Sequence, residues 1–101
     1  MKSIIQTDGT YCFRCKNAIG TEDHHMLPGN PGRKYSEQDG LKVRICRECH
    51  EYLHSSAGSK QLLAYKKLGQ EKWEAYYGPR LIEEGKDPRD EFRKRYGRNY
   101  L

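Results

Sequence analysis

Residues 45–54 read ICRECHEYLH, so two cysteines and two histidines fall within ten positions. The chain has two more cysteines, Cys12 and Cys15, and two more histidines, His24 and His25. Every cysteine belongs to a CxxC pair, and every histidine lies between these pairs or just beyond the second. Soft sulfur and nitrogen ligands grouped in this way are typical of metal-binding proteins. The grouping predicts two metals, one that holds the fold and one that performs chemistry.

The chain is short and polar. It has 101 residues, of which 35% are apolar and 33% are charged, and its mean hydropathy is −1.09. This length predicts a single domain over residues 1–101. Its core would be too small for stability without disulfides or a bound metal. No apolar run suits a signal peptide or a membrane span. We therefore expect a cytoplasmic protein that makes no membrane contact and keeps its thiols reduced.

The two CxxC units predict one structural zinc ion. They lie about thirty residues apart, as in ribbon-like sites where each pair presents two thiolates to one tetrahedral ion. Two disulfides or an iron–sulfur cluster are the alternatives. A thioredoxin-like redox role fits poorly, because it needs a single CxxC in a βαβ setting. The predicted zinc ligands are Cys12, Cys15, Cys46 and Cys49.

The histidines predict a second, more open metal site. His50 and His54 are four residues apart on a predicted helix, so their imidazoles face the same way. His24 and His25 are neighbours, and neighbours in an extended segment point to opposite faces. One of them can therefore join the metal while the other faces a substrate. Three imidazoles with open coordination positions indicate a catalytic metal.

The remaining pattern predicts short elements. Residues 41–45 alternate apolar and basic side chains, which favours a strand. We expect a helix from about residue 49 or 50 to residue 55, and a second over 59–77 that Gly69 interrupts and Gly78-Pro79 stops. Prolines and glycines favour a loop at 28–33, and 36–40 is predicted to be turn-like. Residues 80–86 are predicted to be a linker before a last helix that starts at Asp87-Pro88 and ends at Gly97.

The basic excess is compatible with a polyanionic partner. The formal net charge is +5, although an ordinary soluble surface would explain it equally well. Arg33 lies in the flexible loop, where it can hold a phosphate. A cluster of arginines and lysines in the tail, residues 89–98, is a further candidate for binding DNA or a protein. The residues expected to contact nucleic-acid phosphates are Arg33, Lys42, Arg44, Arg47, Lys60, Lys66 and Lys67.

The order of these motifs resembles the HNH endonuclease family, in particular its small phage-type proteins that contain zinc. The matching features are a CxxC, then Asp23-His24-His25, a loop rich in glycine and proline, and a strand that runs into Cys46-x-x-Cys49-His50-x-x-x-His54. The resemblance covers roughly residues 12–56. It implies an α+β fold, a ββα-metal (His-Me) finger with a four-cysteine zinc clamp. The nuclease core would span about 9–57, and a C-terminal helical extension about 58–101.

The resemblance also implies roles for single residues. His25 matches the general base, and His24, His50 and His54 match ligands of one catalytic divalent ion. Mg²⁺, Mn²⁺, Ni²⁺ or Zn²⁺ are the candidate ions, and three imidazoles suit the transition metals better. The implied reaction is hydrolysis of DNA phosphodiester bonds, with Arg33 holding the scissile phosphate. Implied partners are double-stranded DNA and phage terminase or portal proteins, in the cytoplasm of a bacterial host.

One departure from the family keeps an alternative open. The family's central asparagine, which braces the loop of the base histidine, would fall near Gly40 or Leu41, and neither is asparagine. Asn30 is a candidate substitute from the loop. The alternative is a non-catalytic, zinc-stabilised module that binds DNA or protein and has a degenerate HNH site. A third hypothesis is that the protein is an RNA nuclease.

Overall fold

The fold is built on a two-stranded antiparallel hairpin. A computed structural model describes residues 1–101, and it contains the strands β1 (Glu22–His25) and β2 (Lys42–Ile45). The chain thus has the predicted α+β class, and β2 lies within the predicted strand. The helices are α1 (Gly32–Asp39) between the strands, then α2 (Arg47–Leu53), α3 (Ser59–Glu83) and α4 (Pro88–Tyr96), with a short 3-10 turn at Ser56–Gly58 before α3.

The strand register places the first histidine pair. His24 lies opposite Val43, and His25 lies opposite Lys42. Because side chains alternate along a strand, Val43 and Ile45 turn inward and are buried, and His24 is buried with them. His25 points to the other face, beside Lys42. The hairpin therefore separates the two neighbouring histidines, as the sequence predicts.

Helix α2 positions the second histidine pair. It begins at Arg47, two to three residues earlier than predicted, because Cys46 keeps an extended backbone and acts as the N-cap. Leu53 is fully buried and fixes the end of the helix in the core. His54 caps the C-terminus, and its backbone N–H donates to the carbonyl of His50. His50 and His54 therefore stay on one side of α2.

Helix α1 corrects the prediction of a loop at 28–33 followed by a turn-like segment at 36–40, because it begins at Gly32 and holds Arg33 in its first turn. Gly40 has a left-handed φ of +79° and closes the helix by donating its N–H to the Ser36 carbonyl. Ser36 is itself buried, and its hydroxyl accepts a hydrogen bond from the Leu27 N–H at 3.3 Å. These contacts with the rest of the chain stabilise a helix that its polar composition does not reveal.

Helix α3 corrects a second prediction, the stop at Gly78-Pro79. The helix runs through both residues to Glu83, although Pro79 lacks the N–H for one backbone bond. Packing explains the continuation. A Cβ on Gly78 would lie 3.4 Å from Cγ of Pro88, so α4 packs directly on this turn. Leu81 extends the contact with the core. The predicted linker at 80–86 is therefore helical up to Glu83.

Helix α4 ends where the sequence predicts. Asp87 caps it by accepting a hydrogen bond from the Arg89 N–H at 3.3 Å, and Gly97 adopts the left-handed conformation at its end. Phe92 is fully buried and meets Trp73 of α3 at 5.5 Å between ring centroids. No helix combines the length and the apolar character that crossing a bilayer requires.

A buried carboxylate joins α1 to α3 and α4. Asp39, the last residue of α1, accepts hydrogen bonds from Trp73 Nε1 at 2.8 Å and from the Tyr96 hydroxyl at 2.7 Å. Arg95 binds it with two nitrogens, Nε at 2.7 Å and Nη2 at 2.8 Å. Buried charges of this kind are stable only when they are paired and hydrogen-bonded. This Asp39 network fixes α1 on the C-terminal helices.

Replacement of Asp39 by alanine is expected to lower the free energy of unfolding by about 3–5 kcal/mol, because it leaves buried donors and a partly buried guanidinium without their acceptor. The check is urea unfolding of the zinc-loaded protein. Asp90→Ala is the matched control, since Asp90 pairs with Arg93 and Lys94 on the exposed side of α4, and it should change stability little. If both variants lost the same free energy of unfolding, the stabilising role of the Asp39 network would be contradicted.

Candidate metal centre

The four cysteines converge on one point. The Sγ atoms of Cys12, Cys15, Cys46 and Cys49 all lie within 4.8 Å of one another, and all four cysteines are free thiols. A tetrahedral zinc with Zn–S bonds of about 2.3 Å separates its sulfurs by about 3.8 Å. The cluster can therefore hold one zinc ion, as the CxxC spacing predicts, and the disulfide alternative does not describe it.

Backbone contacts tie the first cysteine pair to β2. The N–H of Phe13 donates to the Arg44 carbonyl at 2.8 Å, and the N–H of Cys12 donates to the Ala18 carbonyl at 2.7 Å. Lys16 adopts a left-handed φ of +61°, which turns the chain back after Cys15. The first CxxC therefore sits beside the end of β2, where the second CxxC begins.

Electrostatics around the sulfurs favour a bound cation. Burial acts to raise the pKa of Cys12, but backbone hydrogen bonds, first from Cys15 and then from Cys46, lower it to about 6. Burial raises the pKa of Cys49, even though Arg14 Nη1 donates to its sulfur at 3.4 Å. A bound cation would offset the burial that raises the pKa of Cys49, which is the ordinary behaviour of a thiolate metal site.

Three of the four histidines form a second cluster. The ligand nitrogens of His24, His50 and His54 lie within 4.8 Å of one another. Their ring centroids are separated by 5.6 Å for His24–His50, 5.7 Å for His24–His54 and 5.0 Å for His50–His54. Strand β1 contributes the first imidazole, and α2 with its C-cap contributes the other two. We call this group the histidine trio.

His24 carries an unsatisfied polar atom inside the protein. Its side chain is buried, and its Nε2 has no hydrogen-bond partner, the only such side-chain atom in the structure. Buried polar atoms nearly always have a partner. Burial, and then the charge of His50, lower the pKa of His24 to about 3, so this imidazole is neutral at physiological pH. A neutral, unpartnered imidazole beside two others is what a metal ion requires.

Glu22 orients the second imidazole. Its Oε1 lies 2.8 Å from Nδ1 of His50. Because a carboxylate accepts hydrogen bonds, this contact places the hydrogen on Nδ1 and leaves Nε2 of His50 with a lone pair. Carboxylates commonly hold metal-binding histidines in this way. Glu22 is two residues before His24 on β1, so the period-2 pattern of a strand could have found it.

His25 does not join the histidine trio. Its Nε2 lies 2.9 Å from Oε1 of Glu37, on α1. Nevertheless, His25 and the trio line one cleft of about 240 Å³. The sequence does not predict the contact between His25 and Glu37, because Glu37 lies on α1 and the sequence does not predict that helix. The residues that line this cleft are Asp23, His24, His25, Pro28, Gly29, Arg33, His50 and His54.

The predicted phosphate contacts fall into two groups. Arg33 is exposed and lines the cleft, and Lys66 is near enough to His54 for its charge to help lower the pKa of that imidazole, after burial and His50. The others are already paired or lie elsewhere. Arg47 pairs with Glu51 at 3.3 Å. Lys42 pairs with Glu37, Arg44 pairs with Asp23 at 3.0 Å, and Lys60 and Lys67 are exposed on α3.

The basic tail is largely neutralised within the chain. Arg95 belongs to the Asp39 network, and Arg89 pairs with Glu74 at 3.4 Å. Arg93 and Lys94 share Asp90. Arg98 lies over the ring of Tyr100, 4.9 Å from its centroid. The tail therefore resembles a helix face held by ion pairs more than a surface free for DNA.

The chain matches no protein-family model, no curated protein and no solved structure. Its function has to be inferred from the chemistry of these side chains.

Removal of one sulfur tests the cysteine cluster. Cys12→Ser is expected to lose zinc and most of its helical circular dichroism, because a structural zinc stabilises small peptides by about 10–16 kcal/mol. Metal analysis after gel filtration measures the zinc. Ser55→Ala, outside the cluster, is the control and should keep its zinc. A folded Cys12→Ser protein without metal would contradict a structural role.

Proposed function

We propose that the chain is a metal-dependent endonuclease that hydrolyses DNA phosphodiester bonds, with an HNH-type site. The observation that carries this proposal is the histidine trio with its buried, unpartnered Nε2 of His24, in one cleft with a fourth histidine outside the trio. Three imidazoles leave open positions on a bound ion. A separate imidazole in the same cleft provides a base. A one-metal mechanism of phosphodiester hydrolysis uses both groups.

The order of the elements supports the same proposal. Strand β1 carries His24 and His25, β2 pairs with it, and α2 carries His50 and leads into His54. This is the order of elements expected of a ββα-metal finger, and the cysteine cluster lies at the junction of β2 and α2. Mg²⁺ prefers oxygen ligands, so the all-imidazole trio favours a transition metal such as Zn²⁺, Ni²⁺ or Mn²⁺.

The chain's own residues then have distinct tasks. Arg33 binds a non-bridging oxygen of the scissile phosphate and holds it over the cleft. His25 accepts a proton from a water molecule. The resulting hydroxide attacks phosphorus, and the bond to the 3′ oxygen breaks as that oxygen takes a proton from solvent. A divalent ion on the trio supplies positive charge that stabilises the phosphate during this exchange.

The cations around the cleft support a nucleic-acid substrate. Arg33 on α1 and Lys66 on α3 flank the histidines, and neither forms an ion pair in the structure. Such contacts position a phosphate backbone without reading its sequence. We therefore expect cleavage with little sequence specificity from this chain alone. A partnership with terminase or portal proteins stays a prediction.

A second candidate function is a zinc-stabilised module that binds DNA or protein without cutting it. The observation that favours it is the absence of asparagine at positions 40 and 41. Both functions are compatible with DNA binding, but only the nuclease predicts a turnover that depends on the trio and on His25.

Metal stoichiometry tests the trio. Wild-type protein loaded with Co²⁺ is expected to bind about two equivalents, one among thiolates and one among imidazoles. His54→Ala removes an exposed ligand and should bind about one, with the thiolate-to-cobalt absorption unchanged. Retention of both ions in this variant would contradict the second site.

Plasmid nicking tests the reaction. His25→Ala is expected to nick supercoiled DNA about 10²- to 10⁴-fold more slowly than wild type, because it loses the base. Its metal content should not change, since His25 is outside the trio. The assay compares Mg²⁺, Mn²⁺, Ni²⁺ and Zn²⁺, with RNA as a parallel substrate. Absence of cleavage by wild type with every ion would favour the binding module.

A further inference from the structure

His25 has a partner that neither the sequence nor the family resemblance assigns. The contact between Nε2 of His25 and Oε1 of Glu37 is 2.9 Å long. The imidazole is only 11% exposed, whereas Glu37 is 47% exposed. His25 is thus held in a restricted position at the edge of the cleft, with one ring nitrogen occupied by a carboxylate and the other free.

The two oxygens of Glu37 have different neighbours. Oε1 faces His25, and Oε2 accepts a hydrogen bond from Nζ of Lys42. The hydrogen bond from Lys42, followed by that from His25, lowers the pKa of Glu37 to about 2. Glu37 is therefore ionised under all physiological conditions, and an ionised carboxylate can only accept hydrogen bonds. The hydrogen in the contact with His25 must belong to Nε2.

We propose that Glu37 is a positioning residue that fixes His25 as its Nε2–H tautomer and leaves Nδ1 as the nitrogen that accepts the proton of water. The proposal rests on the nuclease function above. It assigns to a carboxylate of α1 the support that the chain lacks at positions 40 and 41. Which nitrogen of a catalytic histidine carries the hydrogen is commonly set by the partner of the other nitrogen.

The location of Glu37 makes it suitable for this task. It lies on α1 two residues before Asp39, whose network fixes the helix to α3 and α4. Ser36, the residue directly before Glu37 on α1, binds the backbone of Leu27, two residues after His25. Supporting residues on anchored helices hold a catalytic group more accurately than residues on loops.

The sharpest variant is Glu37→Gln, which keeps the shape of the side chain. Lys42 can only donate, so it will bind the amide oxygen, and the amide NH₂ group will then face His25. Nε2 of His25 must now accept, which moves its hydrogen to Nδ1 and blocks the base. In Glu37→Ala, Nε2 of His25 instead forms its hydrogen bond with water. If tautomer control is the role of Glu37, glutamine should be at least as harmful as alanine.

Two measurements test the proposal. Two-bond ¹H–¹⁵N spectra of protein labelled at histidine, loaded with Zn²⁺ at pH 8, report which nitrogen carries the hydrogen, and His25→Ala assigns the signals. We expect Nε2–H in wild type and Nδ1–H in Glu37→Gln. In nicking assays, kcat should fall about 10- to 100-fold in Glu37→Ala, and at least as far in Glu37→Gln, with KM unchanged. Glu71→Ala removes an exposed carboxylate from α3 and should match wild type in both measurements.

The outcomes separate this proposal from the nuclease function. An unchanged tautomer in Glu37→Gln, or a glutamine variant as active as wild type, would overturn the role of Glu37 while leaving the nuclease intact. The spectra need no DNA, so a wild-type protein that shows the Nε2–H tautomer but never cleaves would overturn the nuclease function instead. Loss of helical circular dichroism in both Glu37 variants would show that Glu37 only holds the fold.

Discussion

The meeting of four sulfur atoms is the constraint on which the rest of the structure depends. It joins the turn at residues 12–15, the end of β2 and the first turn of α2. With 35% apolar residues, the chain has a small core, and this junction fixes where α2 leaves the hairpin. The direction of α2 in turn sets where His50 and His54 stand relative to β1. The geometry of the histidine trio therefore depends on the cysteine cluster, which contains no histidine.

A second anchor acts from the opposite end of the chain. The Asp39 network attaches α1 to α3 and α4, and α1 presents Arg33 to the cleft and Glu37 to His25. The cysteine cluster thus supports one side of the cleft, and the C-terminal helices support the other. The two sides differ in chemistry, because the first depends on thiolates and a cation, whereas the second depends on a buried carboxylate with aromatic and guanidinium donors. The basic residues of α4 are explained mainly by this architecture.

Sequence reasoning succeeded where a local pattern determines the outcome. The CxxC pairs, the alternation along β2, and the Asp87 and Gly97 caps of α4 are short-range signals, and the structure places each as expected. Sequence reasoning failed where contacts between residues distant in the chain determine whether a helix forms or where it ends. Helix α1 is polar and depends on Ser36 and Asp39, and α3 passes Pro79 because α4 packs against it. The role of Glu37 depends on α1, which the sequence does not predict, whereas the period-2 pattern of β1 places Glu22 on the same face as His24.

Gly69 gives the crossing of α3 over the hairpin a consequence of its own. A Cβ at this position would lie 2.9 Å from Cβ of Met26 and 3.0 Å from Cδ2 of Leu27, directly after the two neighbouring histidines. Even a methyl group would push α3 and the end of β1 apart. The absence of a side chain at position 69 therefore sets the distance between α3 and the end of β1. A side chain at position 69 would in this way displace the end of β1, the strand that carries His24 and His25.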